Sequence, residues 1–128
     1  MTISRGVIVK KLPETVGALQ ARQLLLELTP LLERDRPCLV FDFSEVRQLD
    51  SAGIEVLLRC MEEAMKRNGD IKLAAVPPQA AVILELTRVD RLFEIFTKLT
   101  DAVESFHRFP VEAFRQNSTD KSRPVTIG

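Results

Sequence analysis

The sequence predicts an α/β fold: a single domain on a mixed, mostly parallel sheet of four or five strands, with helices packed against it. Three observations carry this. Short apolar runs alternate with amphipathic segments through the middle of the chain, as they do where crossover helices join parallel strands. The run Leu39-Val40-Phe41 is continuously apolar, the pattern of a strand covered on both faces. The 128 residues are 45% hydrophobic and 28% charged, enough for one real core and ordinary for a soluble globular domain.

Gly6-Val7-Ile8-Val9-Lys10 reads as the first strand, rich in β-branched residues. Leu12-Pro13-Glu14-Thr15 breaks it. A helix is expected from about Val16 to Glu33, capped by Thr15, with Leu24, Leu25, Leu28, Leu31 and Leu32 on its apolar face. Pro30 lacks the helical N–H and should kink or end that helix near Thr29. The charged loop Glu33-Arg34-Asp35-Arg36-Pro37 leads into the buried strand, expected over residues 39–43.

A polar connection follows, and the period then changes. Ile54, Leu57, Leu58, Met61 and Met65 share one helical face. Opposite them, Glu55/Arg59, Glu62/Lys66 and Glu63/Arg67 form i,i+4 pairs in the favourable order. Asn68-Gly69 is a normal stop. Residues 71–76 are the next strand. Pro77-Pro78 opens a third helix with Val82, Ile83, Leu86 and Val89 as its expected buried stripe. Glu94-Ile95-Phe96 is a short last strand. Thr100 is the expected cap of a final helix, with Asp101 in its first turn and Ala102, Val103 and Phe106 facing the core.

The pattern changes beyond Phe106, so residues 1–106 are read as the domain and 107–128 as a C-terminal extension. Gln116 onward is polar and reads as a flexible tail. Phe109, Val111 and Phe114 are expected to pack back on the domain. Their alternative cover is a second subunit, which would make a homodimer.

Several function classes lose support. Lysine plus arginine equals aspartate plus glutamate, at 18 each, so no basic excess argues for nucleic acid. No apolar run approaches a membrane span, and no basic-then-apolar leader opens the chain; the expected location is the cytoplasm. Cys38 and Cys60 lack a CxxC spacing and read as reduced thiols. His107 is the single histidine and is expected on the solvated surface. It makes neither a triad with an elbow serine nor a metal-ligand set. Asp42, Asp50 and Asp90 could be gathered around Mg²⁺, but no glycine-rich phosphate loop accompanies them. Asp42 reads better as a strand-end acceptor and Asp90 as a surface charge.

Asp50 and Ser51 sit where the second helix starts, and both are good N-cap types. That helix end carries unpartnered N–H groups and a partial positive charge, so it also suits an anion or a phosphoryl group. Capping and phosphate acceptance therefore both remain open for Ser51 on local spacing.

Asp42-Phe43-Ser44, followed by Asp50-Ser51-Ala52-Gly53 at the opening of an amphipathic helix, resembles the signature of the STAS family. The resemblance covers roughly residues 6–106. It implies an anti-sigma factor antagonist: a binding module, not an enzyme, with no cofactor or metal of its own. It implies phosphorylation at Ser51 by an anti-sigma factor that is also a serine kinase and binds the ATP, with a phosphatase to reset it. Asp50, Ser51, Ala52, Gly53 and Ser44 are the implied partner-binding residues. The alternative is an unmodified STAS subunit of a transporter or sensory assembly, in which Ser51 is only a cap or a contact. The sequence departs from the family pattern at Pro13-Glu14-Thr15-Val16-Gly17, so the second short strand is not assigned.

Overall fold

A computed structural model describes residues 2–4 and 6–107. Of the expected extension over residues 107–128, all but His107 lies outside them, including Phe109, Val111 and Phe114.

The chain runs β1 (Thr2–Ser4), β2 (Val7–Lys11), β3 (Thr15–Val16), α1 (Ala18–Leu32), β4 (Cys38–Asp42), β5 (Gln48–Leu49), α2 (Ser51–Met65), β6 (Asp70–Ala74), α3 (Pro78–Leu86), a 3₁₀ turn (Val89–Arg91), β7 (Glu94–Phe96) and α4 (Leu99–Ser105). Five strands form one sheet in the order β1-β2-β4-β6-β7. Only β1 is antiparallel to its neighbour; β2, β4, β6 and β7 pair in parallel. The expected mixed, mostly parallel sheet is therefore present. Strand β1 was not expected: three residues with one large apolar side chain give too short a pattern to read.

Because side chains alternate across a strand, each sheet face has its own core. Ile8, Leu39, Phe41, Ile71 and Leu73 pack with α1, α2 and α3. Val7, Val40 and Ala74 face the other way, under Ala102 of α4. Lys72 shares that second face and is buried on the sheet. Its ammonium is 2.6 Å from Ser105 Oγ, 3.3 Å from Glu94 and 4.2 Å from the centre of the Phe106 ring. Paired and hydrogen-bonded in this way, a buried cation becomes tolerable, and it ties α4 to the strands.

Several boundaries differ from expectation, among them the end of the third helix, which stops at Leu86 and leaves Val89 to the 3₁₀ turn. Helix α1 continues through Pro30 to Leu32. The proline sits in the last turn on the exposed side, while Leu28 and Leu32 are held in the core. Its start is not capped by Thr15, which lies in β3. Gly17 is the N-cap, and its N–H donates to Gln20 Oε1 at 3.1 Å. Strand β6 stops at Ala74 because Ala75 takes a positive φ of 56°. Helix α4 begins at Leu99 after Lys98, so Thr100 is inside the first turn and does not cap it.

Two apolar faces are also turned. Helix α3 buries Ala80 and Leu84, and leaves Val82 and Leu86 52% and 78% exposed. The helix is apolar almost all round, so periodicity could not set its phase; small Ala80 lets it approach the sheet. Met65, expected in the core, is 64% exposed in the last turn of α2. There Lys66 pairs with Glu63 at i,i+3 rather than with Glu62, and Arg67 pairs with Glu63 as expected. Such surface pairs are worth only about 0–1 kcal/mol, which is too little to dictate the choice.

Candidate partner-binding site at the start of the second helix

The parallel pair β3–β5 organises the site. Thr15 lies opposite Gln48 and Val16 opposite Leu49. Each two-residue strand feeds directly into a helix, β3 through Gly17 into α1 and β5 through Asp50 into α2. The two helices therefore start side by side, and they pack along their length.

Asp50 is the N-cap of α2, in extended conformation at φ −111°. Its Oδ1 accepts from Ala52 N–H at 2.9 Å and from Gly53 N–H at 3.1 Å. These bonds satisfy two of the helix's orphan donors. Ser51 is the first helical residue and is exposed. Capping falls to Asp50, so the Ser51 hydroxyl is not taken up by it.

Ala52 is half-buried and Gly53 is buried. Gly53, one of the implied partner-binding residues, is packed against the chain itself. A Cβ on Gly53 would stand 2.4 Å from the Val16 carbonyl oxygen and 2.8 Å from Leu49 Cδ1. The close approach that requires glycine is to the chain's own β3–β5 pair. Ser44 is exposed, and its N–H donates to Asp42 Oδ1 at 2.9 Å. Asp42 thus acts as the expected strand-end acceptor. Ser44 lines a shallow cleft with Glu14, Glu45, Arg47, Pro77 and Gln79. Ser51 is not among the lining residues, so four of the five expected site residues share one helix start and Ser44 lies on a separate cleft.

A feature not read from the sequence is a groove between α1 and α2. Ala18, Ala21 and Leu25 meet Ala52 and Val56 there, with Arg22, Glu55 and Arg59 along its sides. Ala18 and Ala21 on one helix facing Ala52 on the other were the available signal, since small residues leave a furrow where helices pack.

Among the described residues, no three His, Cys, Asp or Glu side chains gather as metal ligands. Asp42 bonds the Ser44 backbone, Asp50 caps α2, and Asp90 stands in the 3₁₀ turn. His107 is half-buried after α4, not solvated as expected. Its Nε2 is buried and has no partner among the described residues. Both cysteines are free. Burial pushes the Cys60 thiol up to about 12, against a smaller opposing pull from Arg59. No described helix is long and apolar enough to cross a membrane.

The sequence model of the STAS domain matches residues 1–102. The chain belongs to the STAS domain family. Solved structures agree in fold. A putative anti-sigma factor antagonist from Thermotoga maritima aligns with a TM-score of 0.74 at 19% identity, covering 84% of this chain and 92% of that one. The anti-sigma factor antagonist SpoIIAA in its unphosphorylated form aligns at 0.72 and 14% identity, over 84% of this chain and 93% of its own. The STAS domain of a SulP transporter from Vibrio cholerae aligns at 0.66 and 15% identity, over 90% and 89%. Structures described as anti-sigma factor antagonists and as a transporter's STAS domain thus share this domain's architecture, and the likeness at these identities is one of fold.

Proposed function

We propose that this STAS domain is an anti-sigma factor antagonist: a binding module, not an enzyme. It docks through the start of α2 on an anti-sigma factor with serine-kinase activity and is switched off by phosphorylation of Ser51. The observation that carries this reading is the division of labour at the helix start. Asp50 makes both cap bonds, while Ser51 stands exposed beside it with its hydroxyl unspent on the cap.

The chain contributes the acceptor oxygen and the partner supplies the ATP. As the bond from Ser51 Oγ to phosphorus forms, the bond from the γ-phosphorus to the bridging oxygen of ADP breaks. The hydroxyl proton passes to a base on the kinase. The product carries about −1.5 to −2 charge at neutral pH. A helix N-terminus favours such charge, but here Ala52 and Gly53 N–H already serve the Asp50 carboxylate. The new phosphate is therefore left as excess negative charge on the docking surface, where it repels an acidic partner patch or costs its desolvation. A phosphatase restores the hydroxyl.

The test is incubation with the anti-sigma factor kinase of the same organism and ATP, with mass spectrometry of the Ser51 peptide and a binding measurement before and after. Stoichiometric phosphate at Ser51 with loss of binding is expected. Phosphate on other serines, or unchanged binding after full modification, returns the chain to the transporter- or sensor-subunit reading.

A further inference from the structure

A second feature lies on the same edge of the sheet as Ser51. The parallel strands end in order along this edge, and the connections into α2 and α3 leave from it. Beyond the Ser44 cleft, the exits of β6 and β7 frame a crevice of about 310 Å³. Val76, Leu84, Ile95 and Phe96 form its apolar walls, and among the described residues its only ionisable lining groups are Glu85 and Asp90. Arg88 and Arg91 belong to the same connection but do not line it. Ile95, one of its walls, is itself partly exposed. Strand β7 is the edge of the five-stranded sheet and pairs only with β6 among the described residues.

We infer that this crevice and the outer edge of β7 form a second arm of the partner surface. It receives an extended segment of the kinase that carries a basic side chain beside an apolar one. The inference rests on the proposed function, because it takes its partner from there. An exposed strand edge is a template for a further strand, whose alternate side chains point to one face. Glu94 lies on the α4 face, where it meets Lys72. Ile95 therefore points to the opposite face, into the crevice. A strand laid along β7 would send alternate side chains to that same face. Two carboxylates, with no base among the described lining residues, select a cation, and the four apolar walls select an aliphatic stem or neighbour. Continuity along one sheet edge lets one partner reach both the crevice and Ser51.

The experiment compares wild type with the full-length double variant Glu85→Lys/Asp90→Lys, the neutral Glu85→Gln/Asp90→Asn, and Glu62→Lys as a charge control on α2. Equilibrium binding to the kinase without ATP and steady-state Ser51 phosphorylation are both measured, with thermal unfolding to confirm the fold. The charge-reversed variant is expected to bind at least tenfold more weakly and to raise KM by the same factor, with kcat within twofold. The neutral variant should fall between, and Glu62→Lys should match wild type. Affinity within twofold of wild type for the charge-reversed variant overturns the inference. A concentration-dependent dimer of the chain that the same substitutions abolish also overturns it, by assigning the crevice to a second copy. Wild type that binds without Ser51 phosphorylation, while the variants bind weakly, overturns the switch and supports the crevice. Absence of wild-type binding overturns both.

Discussion

The Asp50 carboxylate spans the starts of two helices, and it can do so because residue 17 is glycine. Its Oδ1 caps α2, while its Oδ2 lies 3.1 Å from where a Cβ on Gly17 would stand. One oxygen is held by two N–H donors, and the other stands where a side chain at residue 17 would crowd it.

Gly17→Ala should therefore weaken the cap of a helix it does not belong to. The carboxylate is pinned by Ala52 and Gly53 and has little room to retreat. The expected loss is about 0.5–2 kcal/mol, the range for a lost N-cap. A double-mutant cycle with Asp50→Ala, read by urea unfolding, should be clearly less than additive. Simple additivity would mean that the two residues are not coupled.

Gly53→Ala should lower stability by about 1–3 kcal/mol, the usual cost of overpacking a filled site. The added carbon meets the Val16 carbonyl at 2.4 Å, and backbone must move to admit it. Partner affinity of the fraction that remains folded should change little. Unaltered stability with lost binding would restore the reading in which Gly53 faces a partner.

Ser51→Ala should leave stability within about 0.5 kcal/mol of wild type, as expected of a surface substitution outside any cap or network. It should bind the partner and resist inactivation by the kinase and ATP. Ser51→Asp gains at most about 0.3–1 kcal/mol from the helix dipole, since Asp50 already holds the nearest donors. It should stay folded and bind weakly. A titration against the kinase checks both.

Asp70 offers a pH test. Burial raises its pKa from 3.8, with the Ile71 N–H and Lys72 opposing and Glu94 adding to the rise. A raised carboxyl pKa in the fold favours the neutral acid. The group's contribution is therefore present below about pH 3.8 and is lost as pH rises through the higher folded value. Asp70→Asn keeps an oxygen for the Ile71 N–H, bonded at 2.8 Å. It should be more stable than wild type at pH 7, with the gap closing as pH falls through the carboxylate range. Urea midpoints from pH 3 to 8 would reveal the trend, and a gap that widens on acidification contradicts it.

Cys60 is fully buried and its thiol is pushed up to about 12. Iodoacetamide at pH 8.5 should therefore modify it only as fast as the domain unfolds, because the thiolate is the reactive form. Denaturant should accelerate labelling in step with loss of structure, as followed by mass spectrometry.

Sequence periodicity resolved the sheet where it was strong. The apolar run of β4 and the two-faced pattern of α2 left little choice of position. It failed on α3, where a nearly all-apolar helix carries no polar face to set its rotation. It also missed β3 and β5, because two-residue strands have no period to detect. That second omission hid the most about the site. Asp50-Ser51 could be placed at a helix start by residue type alone, yet either residue could have been the cap. The bonds from the Ala52 and Gly53 N–H groups settle that Asp50 is the cap, and the backbone laid beside Val16 reveals that Gly53 is required by the chain's own packing. The α1–α2 groove and the crevice beneath Ile95 depend on contacts between segments remote in sequence, beyond the reach of any local pattern.

The Lys72–Ser105 bond also decides where an experimenter can hold the molecule. Ser105 closes α4 over the middle of β6, on the sheet face opposite the one that α2 covers. Surface residues at the close of α4, such as exposed Glu104, are thus suited to a fluorophore or a biosensor tether. Anchored there, the domain presents its α2 start outward, and measured association rates report docking free of obstruction by the support.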